Sequence, residues 1–332
     1  MAVIVSFGGI SNGAQPMRVL MMIGALCALL ALPARAEIAG QADPAFQAAL
    51  KDWLSADEAR ALPALADLAA ADNRAAQVLL GVIDVTPQYQ GRWLYALPRG
   101  ERMALMRAPS GGISGGNWLR VAAVDVPVAA AWVALWDGNA GPMVMLDFAR
   151  LGEDAAARLA AKRLARRAAK GFAPLAEHPD FPAFARALAI REWQGTEPEK
   201  AQAALAALPA ADPGRALLGS YRPDPAALMA LADTDPALAL LGGLLDALCP
   251  DPAARTARLA SAFDMLGGWW GLADLGPPAE VLIGPDAWIA SAQGQAALVR
   301  LLPAPAPEGA AGLDPCLADL MQRGAAERAS LP

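Results

Sequence analysis

The stretch Gly112-Ile-Ser-Gly-Gly116 satisfies G-x-S-x-G, the pattern in which a sharp turn presents a nucleophilic serine. In that reading Ser114 attacks and the only histidine, His178, takes its proton. One of Asp125, Asp137, Asp147 or Asp154, which lie between them, orients the imidazole. The chain order Ser, Asp, His is permitted. Such an elbow must nevertheless join a buried strand to a helix, and here Pro109 and a helix-like run from Gly100 to Arg107 come first. His178 sits in Glu177-His-Pro-Asp-Phe-Pro182, a proline-broken turn. The preferred reading of residues 108 to 117 is a Gly-rich connecting loop, with an envelope hydrolase using Ser114 as the alternative.

Metal and cofactor chemistry has little to work with. One histidine, and two cysteines beyond residue 36, cannot build a His-rich or Cys-rich zinc site. Neither a G-x-x-x-x-G-K-[ST] phosphate loop nor a calcium loop of the D-x-[DN]-x-[DN]-G type occurs, so no nucleotide, metal or other cofactor is expected. Cys249 and Cys316 are predicted to be bonded to each other, which would staple a C-terminal helix onto the preceding body.

Two surface features could recognise a partner. Arg158, Lys162, Arg166 and Lys170 form an i+4 row, with Arg163 and Arg167 beside it, on a helix whose Leu159 and Leu164 face elsewhere. This row is a solvated face or a dock for anionic head groups or an acidic partner. Trp269 and Trp270 stand between glycines, and neighbouring helical residues point about 100° apart, so one indole could line a groove.

The elements that must position these residues are helices. Capping-box patterns occur at Ser55-Ala-Asp-Glu58 and Thr196-Glu-Pro-Glu199. Asp-Pro pairs beginning at Asp43, Asp212, Asp224, Asp235, Asp251 and Asp314 each place an N-cap before a proline at N1. Asn117 predicts a helix starting at Trp118, and Asp125 with Pro127 predicts another carrying Trp132 and Trp136. Strand-like alternation is nearly absent. Pro-Asp-Pro-Ala-Ala occurs at Pro223 and Pro250, an offset of 27 residues, close to the size of a helical hairpin. The expected fold is all-α, made of stacked helical hairpins in the manner of an α-solenoid, with a Trp-rich irregular segment near 82–150. A Pro-rich linker over 303–313 and a final helix over 314–332 should follow the main body of 37–302.

Residues 69 to 81, Ala-Ala-Ala-Asp-Asn-Arg-Ala-Ala-Gln-Val-Leu-Leu-Gly, resemble the junction of a Sel-like repeat, a relative of the tetratricopeptide repeat. Ala69, Ala76, Gln77, Leu80 and Gly81 fall on motif positions, and Asp72 replaces the turn glycine. Asp tolerates the left-handed conformation that such a turn requires. A fainter echo spans Ala232 to Gly242, with Leu238 in place of the Gln. The resemblance implies a partner-binding scaffold and no chemistry. Gly309-Ala-Ala-Gly-Leu313 is similar to a fragment of soluble lytic transglycosylases, but the catalytic Glu-Ser pair of that family occurs nowhere in the chain.

Arg18, the apolar run of residues 19 to 32 and Ala34-Arg-Ala36 have the layout of a signal peptide spanning 17–36, cleaved before Glu37. Cys27 follows Leu26, which does not suit lipid attachment. Residues 1–16 read as a misassigned start. Removing residues 1–36 takes away two arginines and no acid, so the net charge of −6 becomes −8. That balance disfavours nucleic acid as a partner. The sequence therefore reads as a periplasmic or secreted, non-catalytic helical scaffold or protein-interaction module. It has no transmembrane helix in its mature part, and its partner would be an envelope protein or an anionic surface.

Overall fold

Aspartate followed by proline begins helices throughout the computed structural model. The structure describes residues 37–108, 116–136, 190, 193–207, 225–233, 236–272, 274–277, 282–305 and 312–330. Five of the six Asp-Pro sites precede described helical segments that start at the proline: α1 (Pro44–Leu54), α9 (Pro225–Ala232), α10 (Pro236–Leu248), the 3-10 turn Pro252–Ala254 and α15 (Pro315–Ala329). Where the cap is visible, the aspartate oxygen accepts an amide of the first turn. Asp43 takes that of Ala45 at 2.9 Å and Asp314 that of Leu317 at 3.0 Å.

Between α1 and α9 lie α2 (Glu58–Ala70), α3 (Arg74–Val85), α4 (Arg92–Ala96), α5 (Arg99–Met106), α6 (Trp118–Ala122), α7 (Pro127–Trp136) and α8 (Pro198–Ala207). After α10 come α11 (Arg255–Met265), α12 (Trp269–Leu272), α13 (Pro285–Ala290) and α14 (Ala292–Leu301). Among the described residues there is no strand, only an isolated bridge between Arg107 and Asn117. The fold is all-α. The described part of the Trp-rich segment is a series of short helices, with Asn117 capping α6 through the Leu119 amide at 2.7 Å.

The Ser55 capping box does not form as expected. Ser55 ends α1, its hydroxyl donating to the Lys51 carbonyl at 2.9 Å, while Glu58 turns inward and accepts from the amides of Gly91 and Leu94. The tertiary partners are buried backbone donors, costly to leave unsatisfied, so they outcompete the local cap. The helix expected at Thr196 begins instead at Pro198.

Helices stack in chain order at the N-terminal end: α1 on α2, α2 on α3, α3 on α6 and α6 on α7. The junction of α2 and α3 explains the motif residues physically. Asp72 takes φ +70°, Asn73 caps α3 by accepting from the Ala76 amide at 3.0 Å, and Gln77 donates to the Ala69 carbonyl at 2.9 Å, closing the end of α2. A Cβ on Gly81 would lie 2.5 Å from the Leu119 amide, so glycine there sets how closely α3 and α6 approach. At the echo, a Cβ on Gly242 would meet only Arg255 Nη2, at 3.9 Å.

In an open solenoid each unit touches only its neighbours. Here the stack is also tied end to end. Trp53 of α1 stacks on Trp288 of α13 with centroids 5.7 Å apart, and Tyr89 meets the same indole edge-on at 5.7 Å. The Tyr89 hydroxyl donates to Gly276, Gln293 donates to the Tyr89 carbonyl at 2.7 Å, and Arg300 donates to the Gln88 carbonyl at 3.1 Å. Trp53 and Trp288 are fully buried, and removing about 200 Å² per indole from water is worth at most roughly 5 kcal/mol each before entropy, a part of which this closure supplies.

Candidate functional site

The sequence candidates divide by where they fall. Ser114, His178, Asp137, Asp147, Asp154 and the basic row Arg158, Lys162, Arg166 and Lys170 lie outside the described residues. Ala108 donates to the Gly116 carbonyl at 3.0 Å, so the ends of the Gly-rich segment meet, and that segment connects α5 to α6 with no strand leading into it. Asp125 is engaged elsewhere, accepting from Arg74 Nε at 3.1 Å. Trp269 and Trp270 open α12 behind Gly267 and Gly268, both at positive φ, and their side chains lie outside the description.

The structure draws attention to the last helix instead. Cys249, buried at the end of α10, is disulfide-bonded to Cys316 in the first turn of α15, with Cα atoms 6.0 Å apart. Beside the bond, the fully buried Arg258 of α11 reaches Asp314 with Nε at 3.0 Å and Nη2 at 3.4 Å, and its Nη1 donates to the Cys249 carbonyl. A forked guanidinium satisfies a carboxylate and a carbonyl together, which makes its burial tolerable. Its hydrogen bond holds the Asp314 carboxyl below the usual carboxylate range. Cys249, Asp314 and Cys316 bring ligand atoms within 4.8 Å of one another, the donor set of a soft metal site. The sulfurs are bonded to each other and the carboxylate to Arg258 and the Leu317 amide, so these groups do not fit a metal in this state.

Further along α15, Glu327 accepts from Arg300 Nε at 2.7 Å and Arg328 donates to the Arg300 carbonyl at 2.8 Å. Gly324 lets the two helices touch, since a Cβ there would stand 2.2 Å from the Val299 carbonyl oxygen. Leu317, Leu320 and Met321 bury the inner face.

Along the outer edge of this contact runs a groove of about 510 Å³ between α4, α10, α14 and α15. Leu248, Ala296, Val299 and Ala326 give it an apolar floor, and Arg92 and Arg323 stand at it as exposed cations. Glu327, the one acid in the lining, is neutralised by Arg300. Glu58, which does not line the groove, has its pKa pushed up by burial against the opposing pull of the Gly91 and Leu94 amides. A second groove, of about 420 Å³ between α1 and α13, has Lys51 as its only charged residue.

Sequence reasoning missed Arg92 and Arg323. Neither belongs to a motif, and they share a groove only because the folded chain brings both to the same lining. No family model, curated protein or solved structure matches this chain.

Proposed function

We propose that the protein is an exported, periplasmic, non-catalytic helical scaffold that holds a binding partner in the groove between α14 and α15. The observation that carries this reading is the groove itself: an apolar floor with two available guanidinium groups, on an otherwise acidic chain. Recognition surfaces of this kind combine buried alkyl area with a few charges that select the partner. The Gln77 clasp and the Gly81 approach at the α2–α3 junction support kinship with Sel-like hairpins, which serve as scaffolds. The disulfide suits an oxidising compartment, and no helix among the described residues is long and apolar enough to cross a membrane. The signal-peptide layout of residues 17–36 supplies the export route.

A photoreactive amino acid at Ala296, on the groove floor, tests the reading in living cells, with the same group at the exposed Val124 as control. A discrete adduct is expected from Ala296, absent from Val124 and lost when Arg92 and Arg323 are both changed to Glu. Equal adducts from both positions, or none from Ala296 in a correctly exported protein, would refute it.

A further inference from the structure

We propose that the groove's ligand is a single-chain fatty acid, its carboxylate held by Arg92 and Arg323 and its alkyl chain lying on the floor formed by Leu248, Ala296, Val299 and Ala326. This deepens the scaffold reading and rests on it, because an exported protein works among acyl chains.

The floor argues for an alkyl chain. Its four side chains carry no donor or acceptor, and Gln295 and Ser330 are the only uncharged polar residues in the lining, fewer than the amide and carbonyl groups that an extended peptide laid there would need to satisfy. An acyl chain has no such groups. The volume agrees: 510 Å³ lies within the roughly 300–1,000 Å³ typical of small-molecule sites. The same space would admit only about one turn of a partner helix, given a diameter of about 10 Å and a rise of 1.5 Å per residue.

The cations argue for a carboxylate. The Arg92 side chain makes no hydrogen bond or ion pair with any other described residue, and the Arg323 guanidinium has only Asp319, 3.9 Å away on its own helix with both side chains more than half exposed. Both guanidinium groups are therefore available, permanently charged and shaped for a carboxylate fork. The competing acid, Glu327, is held by Arg300.

The test is titration of the oxidised chain from Glu37 to Pro332 with laurate below its micelle concentration, followed by calorimetry. Dodecanol, dodecyltrimethylammonium and phosphatidylglycerol vesicles serve as comparisons. Laurate is expected to bind with one site per chain, at least about tenfold tighter than dodecanol or the cationic amphiphile, since charge-assisted hydrogen bonds distinguish them. Arg92→Gln with Arg323→Gln should weaken laurate at least tenfold and leave dodecanol unchanged, and Ala296→Phe should block both while the melting curve stays that of the parent. If Ala296→Phe fails to fold, Ala326→Phe at the exposed side of the trough replaces it. Equal binding of laurate and dodecanol, undiminished binding in the arginine double variant, or binding to anionic vesicles without binding to laurate would each overturn the proposal. Absence of laurate binding together with a specific adduct at Ala296 would overturn the fatty-acid assignment alone and leave the scaffold reading standing.

Discussion

Removing the bond between Cys249 and Cys316 tests how the C-terminal helix is held. The bond joins residues 67 apart in sequence, and the chain-entropy model assigns a loop of that length about 4 kcal/mol, acting through the unfolded chain. The native contacts of α15 do not depend on it. Arg258 still grips Asp314, Arg300 still pairs with Glu327, and Leu317, Leu320 and Met321 stay buried. Cys249→Ala with Cys316→Ala should therefore keep the helical circular dichroism spectrum unchanged and lose stability, without releasing the helix. Alanine is the right replacement because Cys249 is buried and a serine hydroxyl there would need a partner. Urea unfolding followed by tryptophan fluorescence reads the effect: with a slope of roughly 3 kcal/mol/M, the midpoint should fall by a little over 1 M. Oxidised and reduced parent protein should reproduce the same difference. A double variant that unfolds with the parent's midpoint, or one whose α15 melts as a separate early transition, would refute the reasoning.

Other expectations follow from buried charge and close packing. Asp314 has its pKa lowered by Arg258, so its contribution is present above the ordinary carboxylate range and is lost as pH falls through its depressed folded value; Asp314→Asn should remove that acid limb from a plot of Tm against pH. Glu58 has a raised pKa, so its favourable contribution is complete below the ordinary glutamate value and is lost as pH rises through the folded value; Glu58→Gln should flatten that limb of the same plot. Gly81→Ala should cost at least about 2 kcal/mol in urea unfolding because its Cβ meets backbone at α6, whereas Gly242→Ala, in open space within α10, should be neutral or stabilise by up to about 1 kcal/mol. A fluorophosphonate probe should label neither the parent protein nor Ser114→Ala, and labelling of the parent alone would restore the hydrolase alternative.

Helix starts were legible where the signal is local. Pro44, Pro225, Pro236, Pro252 and Pro315 each open a described helical segment, and the caps at Asp43, Asp251, Asp314 and Asn117 depend on a side-chain oxygen and a neighbouring amide within three residues. Cys249 and Cys316 were legible by arithmetic, as the two cysteines beyond the apolar leader. Ser55 and Glu58 misled because the box pattern is local while Glu58's partners, Gly91 and Leu94, come from 33 and 36 residues away. The described part of the Trp-rich stretch looks irregular in sequence because its helices are as short as five residues, too short to display a period. The groove could not be read at all. Arg92, Leu248, Ala296 and Arg323 are each unremarkable in sequence, and only the packing of α4, α10, α14 and α15 makes them neighbours.

The central claim, an exported and disulfide-closed helical scaffold, is tested most directly by intact-mass spectrometry of the protein isolated from its native cells without reductant. The account predicts one species beginning at Glu37 and two hydrogens lighter than the reduced chain, with the loss mapped to a Cys249–Cys316 peptide pair. A chain that keeps residues 17–36, or one that starts at Glu37 with both thiols free, would contradict it.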